Sequence, residues 1–208
     1  ACAARSAQLL NKSELARDLG LSVATITQWL SVLEAAGLIL ILEPYFNNPT
    51  KRLIKTPKLY FTDVGLLVFL LGLDARALQT YGQLGALWET FVLGELLKWK
   101  EVHQPEAQLY FYRDKDGVEC DFVVQQGGGL QLFDAKLSEL PEPSDARSLR
   151  SAQSKLRERI DRLALVTPTA SNFPLAPDCD VWSGWTLNET LSISSDPQSN
   201  KTRAPPTS

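Results

Sequence analysis

The chain has 208 residues, 44% of them hydrophobic, and a net charge of −3, values that fit one large or two small domains of an ordinary globular protein. No apolar stretch is long enough and free enough of charge to cross a bilayer, since FTDVGLLVFLLGLD is broken by Asp63 and Asp74. Cys2, Cys120 and Cys179 are an odd number without a CxxC pair, which argues against a zinc knuckle or a disulfide framework and for a reducing, cytoplasmic setting. The charge is unevenly spread. Residues 1–62 hold seven Lys/Arg against four Asp/Glu, and residues 63–208 hold fourteen against twenty. Nucleic-acid contact is therefore expected in the first part, or through a metal in the second. The opening ACAARSAQLLNKSE has no apolar signal core and no initiator methionine, and reads as a processed chain or a fragment.

SELARDLGLSVATITQWLSVLEAAGLI reads as helix, tight turn, helix. Ser13 is the expected cap of the first helix, with Leu15 and Leu19 on its inner face and Gly20 at its end. Ser22 is the expected cap of the second, where Val23, Ile26, Leu30 and Leu33 recur at helical spacing and Gly37 supplies the stop. LILILEPYF and LIKTPKLYFT read as two strands around the polar loop NNPTKR. Helix-turn-helix followed by such a hairpin predicts a winged helix over residues 1–62. Its candidates for DNA contact are Thr25, Thr27 and Gln28 on the second helix, for base edges, and Lys51, Arg52, Lys55 and Lys58 on the hairpin, for phosphates. The alternative role for this unit is a packing module that holds neighbouring domains.

Residues 63–83 read as an apolar helical linker. A second domain is expected over residues 84–190. LGALWETFVLGELLKWKEV is a long helix with Leu87, Phe91, Leu93, Leu96 and Leu97 as most of its apolar surface. LYFYR, VECDFVVQ and LQLFDAK are strands separated by the turns DKDG and GGG. PEPSD opens a helix over residues 146–160, with Ser144 as its cap, and RLALVTPT is a core strand. The order α-β-β-β-α-β predicts a mixed α/β fold with helices on the faces of one sheet. CDVWSGWTLNETL adds a small edge strand, and residues 191–208 have the composition of a disordered tail.

The chemistry concentrates in Glu89, Glu119, Asp121, Asp134 and Lys136. Asp134 and Lys136 are two apart on a strand and so share a face, and Glu119 and Asp121 repeat that spacing one strand earlier. So many inward charges need a metal, a substrate or one another. Two strand carboxylates and a lysine beside the helical Glu89 suit metal-dependent phosphodiester cleavage, with the carboxylates holding Mg²⁺ and the lysine steadying an attacking water or a phosphate. Glu119 is the auxiliary, orienting Lys136 or completing the ligand set. His103 is the sole histidine, which rules out a His-rich zinc site.

Glu89 in a helix, Asp121 in a strand and Asp134-Ala135-Lys136 in the next resemble the PD-(D/E)xK nuclease superfamily. The resemblance implies Glu89, Asp121 and Asp134 as Mg²⁺ ligands, with Mn²⁺ as substitute, and Lys136 as the assisting catalytic lysine. The proline of the family's name is absent before Asp121. A longer likeness runs through SELARDLGLSVATITQWLSVLEAAGLI, YFNNPTKRLIKTPKLYFTDVGLL, LGALWETFV and YFYRDKDGVECDFVV. These segments resemble the C-terminal half of a prokaryotic family of AAA+-type ATPases, a winged helix joined to a nuclease-like domain of unknown function. No G-x-x-x-x-G-K-[ST] loop occurs in this chain, so the resemblance implies that ATP is handled by an upstream domain, with DNA and that domain as partners and no membrane. The alternative is a non-catalytic interaction or regulatory module of such an ATPase.

Overall fold

The computed structural model describes residues 1–46 and 54–194. Two sheets organise the chain into a mixed α/β fold. The first unit runs β1 (Gln8–Leu9), α1 (Lys12–Leu19), α2 (Val23–Ala35), β2 (Ile39–Leu42) and β3 (Lys58–Phe61), with an antiparallel sheet ordered β1-β3-β2. Helix α1 starts two residues earlier than a Ser13 cap would place it. Asn11 is the cap, its side chain accepting from the Glu14 N–H at 3.0 Å, because an Asn carbonyl reaches the N3 donor as well as a serine hydroxyl does. Ser22 caps α2 as expected. Gly20 closes α1 at φ +65°, where a side chain would be strained. Ile26 and Leu30 of α2 are buried, whereas Val23, Trp29 and Val32 are exposed. The expected loop over 47–52 lies outside the described residues.

Helices α3 (Val64–Leu70) and α4 (Ala75–Leu78) fill the stretch read as a linker, and Asp63 and Asp74 cap them through their carboxylates. The second unit runs α5 (Leu84–His103), β4 (Gln108–Arg113), β5 (Glu119–Gln126), β6 (Gly129–Ala135), α6 (Arg147–Lys155), β7 (Ile160–Thr167), β8 (Phe173–Ala176), β9 (Cys179–Ser183) and α7 (Leu187–Ser194). Its six-stranded sheet is ordered β4-β5-β6-β7-β9-β8. The first three strands form an antiparallel meander, and α6 carries the chain across to β7, which lies parallel to both β6 and β9. The α-β-β-β-α-β order is therefore present, with four differences from the sequence reading. Helix α6 begins at Arg147 behind Ala146, with no side-chain cap from Ser144. CDVWS is an interior strand, because β8 pairs outside it. Helix α6 stops at Lys155, where Leu156 turns extended and is buried. The first residues assigned to the tail belong to α7, whose Leu187 and Leu191 are buried in the core beneath α5; residues 195–208 lie outside the described residues.

The sheet's two faces are covered differently. On one, α5 and α7 pack over Phe122, Val124, Phe133, Ala164 and Val166. On the other, Leu149, Ala152 and Leu156 of the α6 region cover Val123, Leu132 and Leu165. Helix α5 buries Trp88, Val92 and Trp99 as well as the leucines. Trp88 sits over Gly184, where a Cβ would come within 2.6 Å of its ring, and its Nε1 donates to the Val166 carbonyl at 3.0 Å.

The two units are joined by more than the linker. All four residues of β3 are buried. Strand alternation sends Leu59 and Phe61 toward α1 and α2, and Lys58 and Tyr60 toward α5 and the large sheet. The segment after β2 continues along β4: the Tyr45 N–H donates to the Phe111 carbonyl at 2.7 Å, the Phe111 N–H to the Glu43 carbonyl at 3.2 Å, and the Ile54 N–H to the Arg113 carbonyl at 3.2 Å. Ser6 bridges inside this junction, its hydroxyl sharing a hydrogen bond with Thr90 at 3.0 Å and accepting from the Phe61 N–H at 3.2 Å.

Candidate functional site: a carboxylate centre closed by Lys58

Four carboxylates meet where α5, β5 and β6 converge. Helix α5 brings Glu89 over the sheet from within a buried turn containing Trp88 and Thr90. In β5, Tyr110 pairs with Val123 and Tyr112 with Cys120, so Asp121 and Phe122 together face Phe111. This is a β-bulge, a device that re-aims a side chain. The ladder between β5 and β6 ends at the Phe122–Phe133 pair. Beyond it the carboxylates take over the ladder's bonds: the Asp121 N–H donates to Asp134 Oδ1 at 3.1 Å, and the Ala135 N–H to Asp121 Oδ2 at 3.0 Å. Asp121 and Asp134 are thereby locked beside each other. Asp134 is 2% exposed, and its Oδ2 has no hydrogen-bond partner.

The cation at the middle of this cluster is Lys58, from the other unit. Its ammonium lies 2.9 Å from Glu89 Oε1, 2.8 Å from Glu119 Oε1 and 3.7 Å from Asp121 Oδ1. The residue is 3% exposed, and its Nζ stands 5.5 Å from the centre of the Phe111 ring. Read from the sequence as a phosphate contact, Lys58 is instead buried among carboxylates, because β3 is covered on both faces and alternation points it inward. Tyr60, two residues on, donates its hydroxyl to the same Glu89 oxygen. Glu119 also pairs with Arg113 at 3.3 Å. Its partners are thus Lys58 and Arg113 rather than Lys136.

Lys136 stands one residue past β6 and is half-buried. Its backbone N–H donates to the Val166 carbonyl at 2.9 Å, the acceptor that Trp88 also uses. Its charge acts on both Asp121 and Asp134. The structure therefore brings Glu89, Glu119, Asp121, Asp134 and Lys136 into one region. Of the nucleic-acid candidates, Lys58 is in the site itself, and Thr25, Thr27, Gln28 and Lys55 are not among the residues that line its cleft. Thr25 bonds the hydroxyl of Ser22, Thr27 donates back to the Val23 carbonyl, and Gln28 and Lys55 are exposed. Lys51 and Arg52 lie outside the described residues.

Burial dominates the electrostatics. It pushes Glu89 up to about 7, helped by the charge of Asp121 and opposed by Lys58 and Tyr60. It pushes Asp134 up to about 8, again helped by Asp121 and opposed by Lys136. Asp121 is raised by burial while Lys58 and the Ala135 N–H pull it back. Burial works against the Lys58 charge, but Glu89, Asp121 and Glu119 outweigh it and hold the ammonium above the usual lysine range. Perturbed carboxylates gathered at a cleft are the mark of a working site or of a tightly bound ion pair. The cleft here has a volume of about 480 Å³ and is lined by Gln8, Lys58, Glu89, Arg113, Glu119 and Asp121.

An oxygen-only donor set with an unpartnered buried carboxylate oxygen fits a hard divalent cation such as Mg²⁺. Among the described residues, no group of three or more His, Cys, Asp or Glu is disposed to hold a metal ion as it stands, and the Lys58 ammonium lies between three of the acids. Among the described residues, no helix is long and apolar enough to cross a membrane.

These features define a mixed α/β protein with a buried carboxylate centre at the junction of its two units. The chain belongs to the family described as "Domain of unknown function (DUF4143)", whose model matches residues 84–187. A second model, "Domain of unknown function (DUF8612)", matches residues 1–77. Two uncharacterized proteins, from Mycobacterium bovis and Mycobacterium tuberculosis, are each 39% identical to it over 170 residues, or 81% of this chain. The chain spans 37% of the length of these curated relatives.

Proposed function

We propose that this chain is the winged-helix and nuclease-like part of an ATPase-associated protein, and that its carboxylate centre acts on phosphodiesters with Mg²⁺. The observation that carries this reading is the convergence of Glu89, Asp121 and Asp134 from a helix and two adjacent strands, with Lys136 following Asp134 at the strand end. The β1-α1-α2-β2-β3 order supports the winged-helix half, and α5 with the β4–β7 region supports a PD-(D/E)xK-type half. Glu89, Asp121 and Asp134 would hold the ion. When bound, Mg²⁺ supplies charge stabilisation at the phosphoryl oxygens and a more acidic water. The chain's own part is to orient and to select. The backbone donors of Asp121 and Ala135 fix the two strand carboxylates, Lys136 adds positive charge beside them, and Arg113 presents a guanidinium in the cleft. Among the described residues, Thr27, Gln28 and Lys55 are the exposed candidates for contact with DNA. ATP chemistry, on the same resemblance, belongs to a part of the parent protein outside this chain.

A second reading, a non-catalytic regulatory module, is favoured by Lys58: the carboxylates already have an internal counter-charge. The deciding experiment incubates the purified protein with single- and double-stranded DNA in Mg²⁺ and then Mn²⁺. The nuclease reading expects cleavage that disappears in Asp121→Ala and Asp134→Ala while both variants stay folded. Absence of metal-dependent cleavage by the wild-type protein, or cleavage that survives both changes, overturns it.

A further inference from the structure

We propose that Lys58 sets the affinity of the carboxylate centre for a divalent cation, as a resident cation that the ion must displace. The inference rests on the metal-centre reading above and adds to it a residue from the other structural unit. Three observations carry it. The ammonium already occupies the point on which Glu89, Glu119 and Asp121 close, at 2.9, 2.8 and 3.7 Å. Mg²⁺ needs oxygens at about 2.1 Å in a near-octahedral shell, so the ion cannot take the point between these acids while the ammonium occupies it. And Asp134, next in the cluster, keeps a buried oxygen that Lys58 does not satisfy, so the ammonium completes only part of the set.

Displacement has a structural cost that the fold makes visible. Lys58 belongs to β3, the central strand of the small sheet, which is bonded on both sides by β1 and β2. Its neighbour Tyr60 holds the same Glu89 oxygen. The ammonium can leave the carboxylates by rotation of its own four-carbon chain into the cleft that it lines, or by movement of the whole β1-β3-β2 sheet. By linkage, whatever draws this sheet away from α5 raises metal affinity, and metal binding loosens the sheet to the same degree. The centre is therefore a composite of the two units.

The test is calorimetric titration of Mg²⁺ and Mn²⁺ into the wild-type chain, Lys58→Met and Asp121→Ala/Asp134→Ala. Met keeps most of the side-chain volume and removes the competing charge. The inference expects Lys58→Met to bind the ion at least tenfold more tightly than the wild type, with binding lost in the double variant. Equal or weaker binding by Lys58→Met, with the double variant still inactive in binding, overturns the role of Lys58 and leaves the metal centre standing. No binding by the wild type or by Lys58→Met overturns the metal centre, and this inference with it. Should Lys58→Met fail to fold, amine-reactive labelling of the wild type read by mass spectrometry decides. Acylation of Lys58 should rise severalfold on saturation with Mg²⁺, and unchanged protection under saturation refutes displacement.

Discussion

Replacing Asp134 by Asn isolates the electrostatic load of the centre. The carboxyl ionises at about 8 in the folded protein and near its ordinary value of about 4 in the unfolded chain. Across that interval the native state binds more protons than the unfolded state, so stability is fully present below about pH 4 and is lost as pH rises through about 8. From pH 5 to pH 8.5 the loss covers three pH units, or about 4 kcal/mol if Asp134 acted alone. Burial is the largest cause of that shift and repulsion from Asp121 and Glu89 adds to it, so roughly half, about 2 kcal/mol, is assigned to the one substitution in a coupled set. The amide keeps the Oδ1 acceptor used by the Asp121 N–H and places a donor where Oδ2 has no partner. For a chain of this size about 2 kcal/mol is about 4–8 °C in melting temperature. Thermal melts in chelator at pH 5 and 8.5 give the comparison. The wild type should lose about 4–8 °C more than Asp134→Asn between the two pH values, and Asn should be the more stable at pH 8.5. Parallel losses in the two proteins would refute the argument that Asp134 is held neutral by burial.

Two further outcomes follow from the same geometry. Tyr60→Phe removes the hydroxyl that Glu89 accepts, and should lower stability at pH 8 by about 1–2 kcal/mol, with a smaller effect at pH 5.5, read from urea midpoints at both pH values. Gly184→Ala drives a methyl to 2.6 Å from the Trp88 ring and should cost about 1–3 kcal/mol, with altered near-ultraviolet circular dichroism as Trp88 is pushed off the Val166 carbonyl.

Much of this arrangement was legible in the sequence because it is local. The Ser22 cap, the glycine stops and the buried Ile26 and Leu30 of α2 are set within a few residues of one another, whereas Leu19 and Val23, expected inside, are exposed. Asp121 and Asp134 lie on adjacent strands as the sequence suggests, while Lys136 stands one residue past β6. The sequence puts Lys58 on the strand where it is found but does not show its burial among carboxylates. Its charge suggests solvent, and only the docking of β3 against α5, 31 residues away, turns it inward. A Lys-Leu-Tyr-Phe strand with a polar residue at every second place does carry a trace of that burial, since Leu59 and Phe61 alone would suffice for a sheet covered on one face. The bulge at Asp121 was invisible because it depends on register against Phe111. Helix α7 leaves little trace in the sequence because its composition is weakly apolar and its existence depends on Leu187 and Leu191 finding the core under α5.

The hydrogen bonds between residues 43–45, Ile54 and β4 do more than join two units. Strand β4 is the outermost strand on its side of the six-stranded sheet, and a naked row of amides there would be a template for pairing with another molecule. Glu43, Tyr45 and Ile54 occupy that row, while at the opposite margin β8 is four residues long and carries Pro174, which has no N–H to offer. A fragment cut at residue 84, the start of the matched family region, would lose the cover of β4 while keeping the guard on β8. Self-association of such a fragment through β4 would then reflect the missing first unit, and its behaviour in solution would say little about how the intact chain assembles.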